Sequence, residues 1–505
     1  MNEPLPPSRA WRTQVSDLAS EGDVNLSPLR RAWEAENVGA ATRALLDADS
    51  EHFLHQSLST PCLNALESCD GIWLTDVEGR RIMDFHGNNV HQVGYRHPHV
   101  IEAVKRALDT LPFSPRRYTN AAAVELAATL ASLMPKPLSK VLFAPGGTLA
   151  IGMALKLARL VTGRHKTLSL WDAFHGASLD AISIGGEAIF RKNIGPLLPG
   201  TEHAPPCDPR QCRFGCGDAC NLRCAEYLDY VLGKEEDIGA VIIETVRSTD
   251  VQIPPPDYYR IVRDACDRRG ALLILDEVPI CLGRTGRMFA FEHYDVVPDM
   301  VVLGKGLGGG VFPLAALIAR CDFDIAGDRA VGHYTHEKSS VGCAAALATL
   351  EVIANERLLE ASRALGARAM ERLREMQRRH PLVSEVRGIG LLLGIELRRA
   401  GRPASCEAEQ VMYHCMARGL SFKVGQGNVL TLSPPLIITP EELDHALDLI
   451  DAALSAVEAA NEAGAASPQR RQSPREQSDA GIARGESAQD SRHATNDAPS
   501  PDQGG

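Results

Sequence analysis

The sequence predicts an α/β protein with a large domain around a mostly parallel sheet and a smaller α+β domain after it. Two patterns carry that expectation. Between residues 120 and 320, short aliphatic runs alternate with helix-like stretches: Val141 to Ala144, Thr167 to Leu170, Ala240 to Ile243, Ala271 to Leu275, Met300 to Leu303 and Ala315 to Ala319. Short branched-aliphatic runs separated by helices mark βα units whose strands are covered on both faces. After Val341 the alternation stops, and a long helix-like segment to His380 leads into a strand-like run, Gly390 to Leu397. A helix near Ala408 to Arg418 and an amphipathic helix from Pro440 to Ala459 complete a unit of small-domain size. No repeat of solenoid period interrupts this plan.

The remaining elements follow in chain order. Met1 to Arg12 is polar and Pro-rich, so residues 1–25 are expected to be flexible and order to begin near residue 25. Asp47 to Gln56 reads as a short helix, and Gly71 to Asp84 as a β-hairpin turning at Glu78 and Gly79. These belong to a segment, 26–112, that contributes to the small domain; 113–340 is the large domain and 341–460 the C-terminal small domain. From Asn461 onward Ile482 is the only large aliphatic residue, too little to offset ordering entropy, and 461–505 is expected to be disordered.

Composition narrows the function. The chain has 505 residues, 44% hydrophobic and 23% charged, and 64 acidic against 53 basic side chains give a net charge of -11. That balance supplies no footprint for nucleic acid or an anionic membrane, so small-molecule chemistry is the default. No apolar run approaches the ~20 residues that span a bilayer, and the first residues lack a signal-peptide core. The expected location is the cytoplasm, where the 13 cysteines would remain thiols.

The strand Ala271 to Leu275 runs into Asp276 and Glu277, and a later one, ending at Leu303, runs into Gly304-Lys305-Gly306. Ligand crevices of parallel sheets lie at the carboxyl ends of strands, so Asp276 and Lys305 could share a site. For arbitrary strand ends a surface pair would be the better reading.

The surrounding residues decide otherwise. Leu275-Asp276-Glu277-Val278, Gly283-Arg284-Thr285-Gly286, Pro298-Asp299 and Gly304-Lys305-Gly306-Leu307-Gly308-Gly309-Gly310 occur in order. Phe174-His175-Gly176, the helix Ala154 to Arg159, Arg387-Gly388-Ile389-Gly390 and Pro434-Pro435-Leu436 accompany them. Over about residues 70–460 the chain resembles the class III aminotransferases, which implies an aspartate-aminotransferase-like fold (fold type I) and pyridoxal 5'-phosphate as cofactor.

By this resemblance Lys305 would link to the cofactor aldehyde and, once freed, move the proton at the substrate's amino-bearing carbon, while Asp276 would keep the pyridine nitrogen protonated. Phe174 and Val278 would cover the two ring faces, and Gly147 and Thr148 would supply donors to the phosphate at a helix start. Thr335 would reach a phosphate in a neighbouring subunit, since the family builds its sites across a dimer, whether the chain forms a homodimer or a higher homo-oligomer. His175 and Glu244 match family positions too, and could equally serve neighbouring polar groups.

Four places depart from the pattern. Gly146-Gly147-Thr148-Leu149-Ala150 puts Leu149 where a glutamate is usual, and Val429-Leu430-Thr431-Leu432-Ser433 puts Thr431 where many members carry an arginine for a substrate carboxylate. His336-Glu337-Lys338 and Glu244-Thr245-Val246-Arg247 are likewise altered. Arg247, Lys338, Arg116 and Arg117 add cations that suit a doubly charged phosphonate, although each could be a solvated surface charge. The variant pattern resembles an ammonia-lyase branch of the family acting on 1-hydroxy-2-aminoethylphosphonate, in which elimination of the hydroxyl yields phosphonoacetaldehyde and ammonia. Transamination of an ω-amino compound with a keto acid is the alternative, and a non-catalytic cofactor-binding scaffold a remote one.

Cys207, Cys212, Cys216, Cys220 and Cys224 fall within 18 residues. So dense a run could hold zinc or an iron–sulfur cluster, but structural zinc sites use closer pairs with a distant second pair, so the reading without a metal is preferred; if Ala219 to Leu232 is helical, Cys220 and Cys224 share a face as buried small hydrophobes.

Overall fold

The computed structural model describes residues 27–56, 60–209, 212–216 and 220–466. The expectation for 1–25 lies outside these residues, as does 467–505 of the expected disordered segment 461–505; residues 461–466, expected to be disordered, instead continue the helix Pro440–Ala466.

A seven-stranded sheet organises the molecule. In spatial order its strands are Leu138–Ala144, Ala315–Arg320, Met300–Leu303, Leu272–Asp276, Ile238–Glu244, Lys166–Leu170 and Thr201–Ala204. Neighbours from Met300–Leu303 to Thr201–Ala204 run parallel, whereas Ala315–Arg320 is antiparallel to both strands beside it. All seven residues of Ile238–Glu244 are buried, as expected of a strand covered on both faces. Alternate side chains feed two separate cores. Ala240, Ile242, Ile274, Met300 and Val302 meet the helix Gly147–Thr162. Val241, Ile243, Leu273, Leu275, Val301 and Leu303 belong to the larger core on the opposite face.

Two smaller sheets flank this unit. One joins Leu66–Asp70, Trp73–Asp76 and Arg81–Asp84 to Leu420–Ser421, so residues near the two ends of the described chain share hydrogen bonds. Its hairpin turns at Glu78 and Gly79, where Asp76 Oδ1 accepts from the backbone of Glu78 at 3.0 Å and Arg80 at 2.9 Å. The other contains Val383–Ile389, Leu392–Arg399, Val429–Leu432 and Lys423–Gly425.

Several elements differ from expectation for identifiable reasons. The long helix after Val341 is two helices, Ser340–Asn355 and Leu358–Arg379, separated where Arg357 takes a left-handed conformation at φ +55°. No Gly or Pro announces that break. The strand Thr201–Ala204 was not anticipated because it is an edge strand with one fully buried residue and no aliphatic run. The first helices are Pro28–Asn37 and Ala40–His52, earlier than the one expected over Asp47 to Gln56. Among the described residues, no helix is long and apolar enough to cross a membrane.

Candidate active site

A cavity of roughly 170 Å³ opens at the carboxyl ends of the parallel strands. Asp276 and Glu244 end two adjacent strands and are paired in register, so their side chains project side by side. Lys305 follows the next strand, Met300–Leu303, and Gly147 and Thr148 begin the helix Gly147–Thr162. All five line the cavity with Phe174, His175 and Val278.

Each is fixed by local geometry. Asp276 is buried; one carboxylate oxygen accepts from the Val278 N–H at 3.0 Å, and the other lies 2.8 Å from His175 Nδ1. His175 is itself enclosed, with Nε2 3.4 Å from Ser169 Oγ, so the imidazole aims Asp276 rather than reaching the cavity's far side. Glu277, next to Asp276, points the other way and accepts from Ala290 N, Phe291 N and Thr245 Oγ1 at 2.7, 2.7 and 2.9 Å. Burial raises its carboxyl to about 7 despite those donors. Adjacent carboxylates at the end of a strand thus divide, one facing the site and one tying a turn.

Lys305 adopts φ +47°, an uncommon conformation for a side-chain-bearing residue and of the kind that clusters at functional sites. The first N–H groups of the helix at Gly147 have no intrahelical acceptor by geometry, which makes this corner suited to an anion. Thr148 Oγ1 lies 2.6 Å from Ser178 Oγ. A Cβ at Gly147 would sit 3.1 Å from a Val278 methyl, so glycine there lets the helix start approach the cavity wall. Phe174 is half-buried with its ring 4.5 Å from that of Phe190.

Glu244 is held differently from Asp276. Its Oε2 accepts from the Phe174 N–H at 3.2 Å and lies 3.9 Å from Arg247 Nε. Burial raises its carboxyl to about 7; Arg247 and His175 oppose that shift and Asp276 adds to it.

The anticipated cations are not gathered at the cavity. Arg247 is buried, donates to the Asp172 carbonyl at 2.7 Å and pairs with Asp250 at 2.6 Å and with Glu187. It lines a separate small cavity with Trp171, Cys207 and Tyr258. Arg116, Arg117, Thr335 and Lys338 are exposed on this chain, and Arg116 contacts His333. Thr431 is buried and donates to the Thr249 carbonyl at 2.8 Å, supporting a residue that lines the cavity. Ser248, Thr249, Pro279 and Gly176 complete the lining. Of these, Ser248 and Thr249 carried no motif; their one signal is position, just beyond the strand ending at Glu244. The Gly283-Arg284-Thr285-Gly286 motif is structural here, with Arg284 buried and bonded to the carbonyls of Leu391 and Pro434.

The cysteine run does not form one cluster on a helix. The helix is Arg223–Lys234, so Cys224 lies in its first turn and Cys220 precedes it. Cys207 and Cys224 are buried, and the neighbouring Cys224 thiol, then burial, pushes the Cys207 thiol upward. Among the described residues, no group of three or more His, Cys, Asp or Glu side chains is arranged to hold a metal ion.

Comparison with known proteins accords with this geometry. The family described as aminotransferase class-III matches residues 56–454. The (R)-1-hydroxy-2-aminoethylphosphonate ammonia-lyase of Vibrio splendidus (strain 12B01) is 49% identical over 462 residues, covering 88% of this chain and 96% of that protein. The acetylornithine aminotransferase of Methanopyrus kandleri (strain AV19) is 37% identical, covering 75% of this chain and 94% of that protein. Among solved structures, a PLP-bound amine transaminase from an uncultivated Pseudomonas species superposes with a TM-score of 0.74 at 28% identity, covering 80% of this chain and 99% of that one. The chain belongs to the class III aminotransferase family and has its fold type I architecture.

Proposed function

We propose that this chain is a pyridoxal phosphate-dependent ammonia-lyase converting 1-hydroxy-2-aminoethylphosphonate to phosphonoacetaldehyde and ammonia. The observation that carries this reading is the 49% identity to an ammonia-lyase of that substrate across nearly the whole of both proteins. Leu149 and Thr431, which depart from the usual transaminase residues, fit it.

The cavity suits the cofactor on its own terms. A helix start with free N–H groups at Gly147 and Thr148 provides for a phosphate, and the half-buried Phe174 and Val278 provide apolar surface for a ring. A carboxylate at Asp276, held by His175, provides a partner for a protonated ring nitrogen, and Lys305 provides an amine for the aldehyde. When bound, the cofactor supplies an electron sink for the carbon bearing the substrate amine. In this reading Lys305 takes the proton from that carbon. Asp276 keeps the ring nitrogen charged, and His175 holds Asp276 in place. Arg247 stays in the wall, neutralised by Asp250 and Glu187.

The exposed Thr335, Arg116, Arg117 and Lys338 enter the scheme only if a second subunit covers them, so we propose a homodimer or higher homo-oligomer in which they face the neighbouring site. Thirteen free cysteines among the described residues fit a reducing cytoplasm.

A second reading, transamination, is favoured by the 37% identity to an acetylornithine aminotransferase, since Lys305 and Asp276 would serve either reaction. The cofactor-loaded protein given 1-hydroxy-2-aminoethylphosphonate alone separates them. A lyase turns over repeatedly and its cofactor absorbance returns to the aldehyde form. A single turnover leaving the cofactor in its amine form would assign the chain to the transaminases.

A further inference from the structure

Elimination makes a demand that Lys305 does not meet. The hydroxyl on the phosphonate-bearing carbon, C1, is a poor leaving group near neutral pH unless it is protonated as its bond breaks. A second, acidic group is therefore needed beside the lysine. Asp276 is committed to His175 and to the Val278 N–H, and His175 is enclosed behind it. Thr148 is engaged with Ser178.

Glu244 is placed differently. It ends the strand next to that of Asp276, in register with it, and lines the same cavity as Lys305. Its Oε2 takes both the hydrogen bond from the Phe174 N–H and the ion contact with Arg247, which stands at 3.9 Å with its closer partners Asp250 and Glu187. Thr431 is turned onto the carbonyl of Thr249, which lines the cavity, and brings no charge.

We propose that Glu244 is the general acid that protonates the departing hydroxyl. The proposal rests on the elimination reading above. Lys305 takes the proton from C2, the carbon bearing the amine; the electron pair forms the C1=C2 bond; the C1–O bond breaks with its pair on oxygen. That oxygen takes the Glu244 proton and leaves as water. Hydrolysis of the enamine product consumes one water and gives ammonia and phosphonoacetaldehyde, and the lysine's proton returns to Glu244 through solvent. The carboxyl raised to about 7 by burial, with Arg247, His175 and Asp276 facing it, is partly protonated where the reaction would run.

The test uses Glu244→Gln in the loaded enzyme with three compounds: the hydroxy substrate, its 1-fluoro analogue and 2-aminoethylphosphonate, which has no leaving group. Ammonia release from the hydroxy substrate should fall ~100-fold or more. Fluoride departs without protonation, so release from the fluoro analogue should stay within about threefold of wild type. Exchange of the C2 hydrogen of 2-aminoethylphosphonate in deuterated water, and its binding measured by calorimetry, should be unchanged. Parallel loss of all activities would make Glu244 a structural residue and overturn the proposal, as would undiminished ammonia release. Wild-type enzyme that exchanges C2 hydrogen yet eliminates nothing would instead overturn the elimination reading itself. Should the variant fold poorly, wild type alone decides: the hydroxy substrate should lose rate as pH rises through about 7 and the fluoro analogue should not, and identical profiles would refute the acid.

Discussion

Asp276 and Glu277 are chemically alike and adjacent, yet at the end of one strand they turn to opposite duties, one into the cavity and one onto the turn at Ala290 and Phe291. Lys305 is the residue on which the chemistry turns. Lys305→Ala should abolish the borohydride-trappable link to the cofactor and lower turnover by about three orders of magnitude or more; mass spectrometry of the reduced protein checks the first effect and steady-state rates the second. Glu244 also carries a stability signature. Its folded value of about 7 exceeds the model-peptide value of 4.5, so ionising it is disfavoured by the fold. The penalty is absent below about 4.5, grows between there and 7, and is complete above 7. Glu244→Gln should therefore raise the melting temperature relative to wild type most at pH 8, with the gain fading toward pH 5.

At the scale of elements, the wall of the cavity is a junction. The segment following Ile238–Glu244 is pinned by Thr431 through Thr249 and approached closely by Gly425, where a Cβ would come within 1.9 Å of the Thr249 carbonyl oxygen. Gly425→Ala should push that backbone into the cavity, costing about 1–3 kcal/mol and raising KM more than it lowers kcat; denaturant titration and steady-state kinetics separate the two. Arg247 illustrates how far sequence could reach here. Its charge and its place beyond Glu244 suggested a substrate ligand, but tertiary neighbours distant in sequence, Glu187 and Asp172, enclose it. Arg247→Met should leave Glu187 and Asp250 buried without their cation and destabilise the fold by about 3–5 kcal/mol, whereas a residue that only gripped substrate would change KM and leave the melting curve in place.

At the scale of the molecule, most of the central sheet was legible because parallel strands covered on both faces are built from near-continuous aliphatic runs, as in Ala240 to Ile243 and Met300–Leu303. The edge strand Thr201–Ala204 needed no such run and gave no signal. The break at Arg357 was hidden because a left-handed residue there carries a side chain rather than being glycine. Asp276, Lys305, Gly147 and Phe174 were legible as motifs, whereas Ser248 and Thr249 reach the cavity through packing that no local pattern records. Thr335, Arg116, Arg117 and Lys338 lie on the exposed surface, and the proposal that a second subunit covers them is open to test. Sedimentation should give at least twice the chain mass, and specific activity should fall on dilution below the dissociation constant; a fully active monomer would remove those four residues from the site.

The most direct measurement is ammonia released from 1-hydroxy-2-aminoethylphosphonate by the purified, cofactor-loaded protein with no keto acid present, beside a control with pyruvate and 2-aminoethylphosphonate. Many equivalents of ammonia per active site are expected in the first reaction, matched by phosphonoacetaldehyde, and no alanine in the second. Absence of ammonia together with alanine in the control would contradict the lyase reading and assign the chain to transamination.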